Sequence, residues 1–240
     1  SGVEKLDIQI QAVALKLGSA IGVQRFFERV ASVKRAHSVE DLLTFMQKGE
    51  LPIADDGSVL VYKRLKSTQI PGVFVDCHSS KVTQKVGSHV FMDETLVDHN
   101  RAQECSNGLH VARRDYLNSF NGDVTVLAKL APEDVIAVPH RDARKLRAKG
   151  YHIIAQLSAE DASLVCRNKP MTDTVLLGNA AAGNHIGIIE TVQITEGYGG
   201  GLIITPVTEQ VAEVKLDETV QAQSLDVIEQ DAKKSRFLCV

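Results

Sequence analysis

Apolar positions follow two different periods along this chain. Over residues 4–32 the texture is helical: Leu, Ala, Gln, Lys and Glu dominate, and proline is absent. Gly18 and Gly22 divide that segment into two helices, or a helix and a bend. Ser38 ahead of Val39-Glu40-Asp41-Leu42-Leu43 predicts a second helix start, because its hydroxyl can accept from the free amides of a first turn. Leu42, Leu43, Phe45 and Met46 give that helix an apolar stripe, and Gly49 gives it a stop.

Pro52 ends the helical period. Asp55-Asp56-Gly57 reads as a tight turn, with Gly57 supplying the positive φ that a hairpin prefers. Short strands are predicted at 58–62, 72–77, 81–86, 89–92, 109–112, 124–130, 135–138 and 152–157. A short helix is predicted at 114–120, and a turn or single helical turn at Pro132-Glu133-Asp134. Ser158 can cap a further helix. Residues 174–204 alternate apolar stretches with glycines, which fits two or three strands, with Gly197-Tyr198-Gly199-Gly200-Gly201 as a flexible hairpin tip. The end of the chain, from about 207, is acidic and rich in Gln, and reads as a docking helix or a mobile tail. The fold class is therefore α+β. A helical unit (1–50) precedes a β-rich core of short, mainly antiparallel strands (51–157), and a strand-containing C-terminal region with an acidic arm (158–240) follows.

Composition narrows the function. A net charge of −3 and the absence of Trp argue against a general nucleic-acid surface. Acidity concentrates in residues 171–240, with 4 Lys/Arg against 10 Asp/Glu. No apolar run reaches the ~20 residues of a membrane span, and no basic-then-apolar leader opens the sequence. The four cysteines are scattered, so they form no disulfide framework and suit a reducing, cytosolic compartment.

Candidate chemistry centres on Cys105-Ser106-Asn107-Gly108-Leu109-His110. A thiol and an imidazole across a turn can form a nucleophile–base pair. They are equally a packed thiol and a histidine bonding a backbone carbonyl. Cys77, His78, Cys105 and His110 are soft or borderline ligands, but their spacing is poor for zinc, and no metal or cofactor is expected. Residues 107–112, Tyr116 and 124–130 are similar to part of the ADP-ribosyltransferase fold. That alternative is a nucleotide-binding or enzymatic domain with His110 and Tyr116 lining a pocket. Cys105, Asn107, His110 and Tyr116 are thus the candidate pocket residues. A second feature is the run 140–149, with five Lys/Arg against one Asp. Arg141, Arg144, Lys145, Arg147 and Lys149 either form a patch for an anionic partner or a solvated loop or helix face. Gly197–Gly201 lacks the ending of a phosphate loop, and His185 reads as a loop histidine without an identifiable partner.

The order of landmarks resembles the core of the rIIB rapid-lysis proteins of T-even-like phages. These are Leu51-Pro52-Ile53-Ala54-Asp55-Asp56-Gly57, Tyr62-Lys63, Phe74-Val75-Asp76, Val86-Gly87-Ser88, Val97-Asp98-His99-Asn100-Arg101, Cys105 to His110, Tyr116-Leu117, residues 126–130, residues 132–139 and Gly150-Tyr151-His152. The resemblance covers about residues 20–157. It implies a non-enzymatic phage protein of the host cytoplasm that acts with an rIIA-like partner in lysis timing or in countering prophage exclusion. It also implies peripheral association with the host inner membrane. A homo-oligomer and a phage or host protein partner are expected. A structural virion protein is the remaining alternative.

Overall fold

A computed structural model describes residues 18–31, 33 and 36–207. The helix α1 (Ala20–Ala31) and the helix α2 (Ala36–Gly49) open the described chain. Phe26 and Val30 point one stripe of α1 inward, and Gly22 allows the helix to close on Ala54: a Cβ there would lie 2.6 Å from the Ala54 carbonyl oxygen. In α2 the stripe is Leu42, Phe45 and Met46, all buried. The helix stops at Gly49, after which Glu50 takes a positive φ of 50°. Ser38 lies inside α2 rather than at its start. Residues 4–17 and the acidic segment from 208 onward lie outside the described residues.

Eleven strands follow: β1 (Val59–Ser67), β2 (Val73–Asp76), β3 (Thr83–Lys85), β4 (Ser88–Met92), β5 (Leu109–Ala112), β6 (Val124–Leu130), β7 (Val135–Ala137), β8 (Lys145–Ala148), β9 (Gly150–Gln156), β10 (Glu190–Glu196) and β11 (Gly200–Pro206). They form one sheet in the order β11-β10-β4-β9-β6-β1-β5-β8-β7, with β2 and β3 branching from β1. Every pairing is antiparallel except that of β10 with β4. The β10–β4 pairing makes the last described strands part of the same sheet.

The turns fall where the sequence places them. Gly57 has a φ of 81°, and its N–H donates to the Ala54 carbonyl. Residues 114–119 and 132–134 are 3-10 turns. Ser158 caps the helix α3 (Ala159–Cys166), its hydroxyl accepting from the Asp161 N–H.

Two segments depart from the pattern. Residues 174–182, which glycine punctuation assigns to strands, form the helix α4 (Thr174–Ala182). Asp173 accepts from the Leu176 N–H at its start, and Gly183, in the left-handed region, ends it. Local capping here outweighs Gly178 within the helix. The basic run 140–149, expected as a loop or helix face, contains β8. That strand is held between β5 and β7 with all four residues buried.

Candidate functional site

The sheet contains a fork. β1 and β5 share a single residue pair, Tyr62 with Ala112, whereas β1 and β6 stay paired for seven residues. Beyond that pair the β1–β5 ladder stops, and side chains supply its missing donors. Lys63 Nζ donates to the His110 carbonyl at 2.7 Å, and the Cys77 thiol donates to the Arg64 carbonyl at 3.1 Å. A cavity of about 500 Å³ is lined by residues from both arms of the fork. Its wall includes Lys63, His110, Tyr116, Lys145, Tyr151 and Tyr198.

The hairpin tip between β10 and β11 reaches this cavity. Tyr198, held at a φ of 54°, donates its backbone N–H to Asn107 Oδ1 at 2.8 Å. The Asn107 amide also donates to the Leu96 carbonyl, so one side chain ties two segments of the rim. Across the cavity, Lys145 Nζ donates to the Tyr116 hydroxyl at 2.9 Å and to Cys105 Sγ at 3.4 Å. Tyr116 meets Phe120 edge to face with ring centroids 5.3 Å apart.

The titrating groups are strongly biased. Burial lowers Lys63 to about 8, with no carboxylate in ion-pair contact among the described residues. The nearby Asp76 carboxylate is already occupied by the backbone N–H groups of His78, Ser79, Lys81 and Val82 and by the Ser79 hydroxyl. Burial, then the charges of Lys63, Arg147 and Lys145, lowers His110 to about 4. His110 is therefore neutral at pH 7. Its Nδ1 lies 3.0 Å from the Gly108 carbonyl, which requires the proton on Nδ1. Nε2 is then a bare acceptor, buried and without a hydrogen-bond partner. Burial pushes the Cys77 thiol up, in keeping with its role as a donor.

The four candidate pocket residues of the sequence, Cys105, Asn107, His110 and Tyr116, all stand on the wall of this cavity. His110 bonds a backbone carbonyl, as one of its two readings has it. Cys105 is exposed rather than packed. The five basic residues do not form one patch. Lys145 and Arg147 are buried in β8, and Arg147 donates to the carbonyls of Asp98, Asn100 and Gln103. Lys149 pairs with Glu94 at 3.1 Å. Arg141 and Arg144 line a separate, shallow hollow with Lys48 and Glu104.

Lys63, Tyr151 and Tyr198 escape the sequence reading. For Lys63 a signal exists: Lys63-Arg64 interrupts the apolar run of β1. His185 is not isolated either. Its Nε2 lies 3.2 Å from Lys129 Nζ, and its ring centroid is 5.7 Å from that of His152.

His152 resembles His110 in its chemistry. Burial, then the neighbouring His185, lowers it to about 4, and its Nε2 is also buried and unpartnered. Both imidazoles titrate near 6.5 once unfolded. Folded-state stability is thus full above about pH 6.5 and falls progressively towards pH 4 as the unfolded chain takes up protons first. A thermal melting series from pH 7 to pH 4.5 is expected to fall throughout this window and to flatten in His152→Gln. A level profile would contradict these two buried neutral rings.

Comparison with known proteins places residues 23–162 within the family described as bacteriophage T4 protein rIIB. The chain is similar to protein rIIB of Enterobacteria phage T4, at 28% identity over 139 residues. That alignment takes in 56% of this chain and 43% of the phage T4 protein, so the chain spans less than half the length of that relative. No solved structure matches the chain. The matched segment runs from α1 into α3. It contains the fork and most of the cavity wall, but not the β10–β11 hairpin.

Proposed function

Because this chain belongs to the family of bacteriophage T4 protein rIIB, we propose that it is a phage protein that acts by binding a protein partner. The family core serves as the scaffold, and a terminal region makes the contact. The binding serves lysis timing or the countering of prophage exclusion, in the host cytoplasm or peripherally at the inner membrane. No described helix is long and apolar enough to cross a membrane.

The observation that carries the binding is the outer edge of the sheet. β11 is the terminal strand on one side, and no described strand pairs with its far edge. Residues 200–206 contain no charged side chain. Ile203 and Ile204 are 52% and 45% exposed on opposite faces, and Ile186, Ile188 and Ile189 are exposed as well. An unpaired, uncharged edge is a template for an added strand, and its apolar flanks reward the addition. Natural edges normally carry a Lys or a bulge that prevents this. We assign the edge to an extended segment of an rIIA-like phage partner.

The test is co-expression with that partner, with complex formation read by light scattering after size exclusion. The paired change Ile203→Lys and Ile204→Lys is expected to abolish the complex while leaving the melting temperature unchanged, since both side chains are exposed. A complex that survives the substitution would refute the edge as the docking site. Self-association of the chain through the same residues would assign the edge to a second copy instead.

A further inference from the structure

The fork cavity has an excess of positive charge that the protein itself does not neutralise. Its charged lining residues are Lys63, Arg64, Lys145 and Asp76. Asp76 is saturated by its own loop, as described above. Arg64 bonds only to neutral groups, the Gly122 carbonyl, the Thr125 hydroxyl and Cys166 Sγ, so three cations line the cavity against the single carboxylate of Asp76. Lys63 and Lys145 too are each bonded only to uncharged groups and each set about 4.9 Å from an aromatic ring centroid, Tyr151 and Tyr116 respectively. Both ammonium groups act on the His110 ring, so that ring lies within the field of the two.

We propose that this cavity binds a phosphate monoester of a planar ring, of mononucleotide size. The charge argument selects the head group. Three cations against one carboxylate leave two positive charges, which call for a dianion; a phosphate monoester supplies one and a single carboxylate does not. The rest of the wall selects a ring, because Tyr116, Phe120 and Tyr198 stand among Met92, Leu109 and Ile194. A cavity of about 500 Å³ suits one small ligand and not a polymer. The hairpin tip, latched by Asn107 to Tyr198, forms part of the rim over it.

The experiment is calorimetric titration of the full chain with AMP, GMP, CMP and UMP, and with adenosine and inorganic phosphate alone. At least one mononucleotide is expected to bind with micromolar affinity, at least about ten times more tightly than adenosine or phosphate. Lys145→Met is expected to weaken it by about tenfold or more. If Lys145→Met fails to fold, Tyr198→Ala, at an exposed ring on the cavity rim, serves in its place and is expected to weaken binding likewise. Failure of all four mononucleotides to bind would overturn the proposal. Equal binding of adenosine and AMP, or a folded variant with unchanged affinity, would overturn it too.

Discussion

Arg147→Met is expected to cost the protein about 3 kcal/mol or more, enough to leave much of it unfolded at moderate temperature. Arg147 is fully buried, yet no carboxylate partner lies in ion-pair contact among the described residues. Instead its guanidinium fans out to three backbone carbonyls of one loop, at 2.8 Å to Asp98, 2.8 Å to Gln103 and 2.6 Å to Asn100. Methionine keeps the packing volume and removes every donor. The three carbonyls then need water where the chain admits little, and the loop carrying Cys105 and Asn107 loses its anchor. Arg147→Lys retains the charge but cannot reach three diverging acceptors with the same geometry, so most of the cost is expected to remain. Urea unfolding of the two variants settles this. A loss below about 1 kcal/mol in Arg147→Met would mean that the loop is held by something else.

Gly57→Ala is expected to destabilise by about 2–4 kcal/mol through a different cause. The position combines a φ of 81° with a neighbour that cannot yield. A Cβ would lie 2.6 Å from the backbone nitrogen of Phe26 and 2.7 Å from the carbonyl carbon of Arg25. Those are main-chain atoms of α1, not the flexible end of a side chain. The substitution therefore displaces the helix from the turn, and with it the Arg29 contacts to the Asp56 carbonyl and the Ser58 hydroxyl. Thermal melting reads the cost, and near-ultraviolet circular dichroism reads the repacking of Phe26. A melting temperature equal to that of the parent chain would show that α1 does not rest on this turn.

How much of this was legible follows from how local the determinants are. β5 and β6 fall at 109–112 and 124–130, as the pattern predicts, because turn residues bound each at its start. Ser158 announces its helix because a cap and the backbone N–H that donates to it are three residues apart. β8 could not be read this way. Lys145 and Arg147 look like solvent-facing residues until loop carbonyls more than forty residues upstream are brought to Arg147. The cavity divides along the same line. Cys105, Asn107, His110 and Tyr116 lie in one short stretch and announce a site together. Lys63, on β1, and Tyr198, at the hairpin tip, enter from positions 47 and 91 residues away from their contacts at His110 and Asn107. Only the fold brings them in.

The parallel pairing of β10 with β4 has a consequence for biosynthesis. Ser88 and Glu190, which meet in this ladder, are 102 residues apart. At bacterial elongation rates the second partner leaves the ribosome roughly 5–20 seconds after the first. Throughout that interval β4, with its inward Val90 and Met92, waits with one side unpaired. The family-matched segment, residues 23–162, ends before β10 is made. Without the hairpin that follows it, β4 would be the edge of the sheet; the hairpin covers that strand and moves the edge outward to β11, and among the described strands it is delivered last.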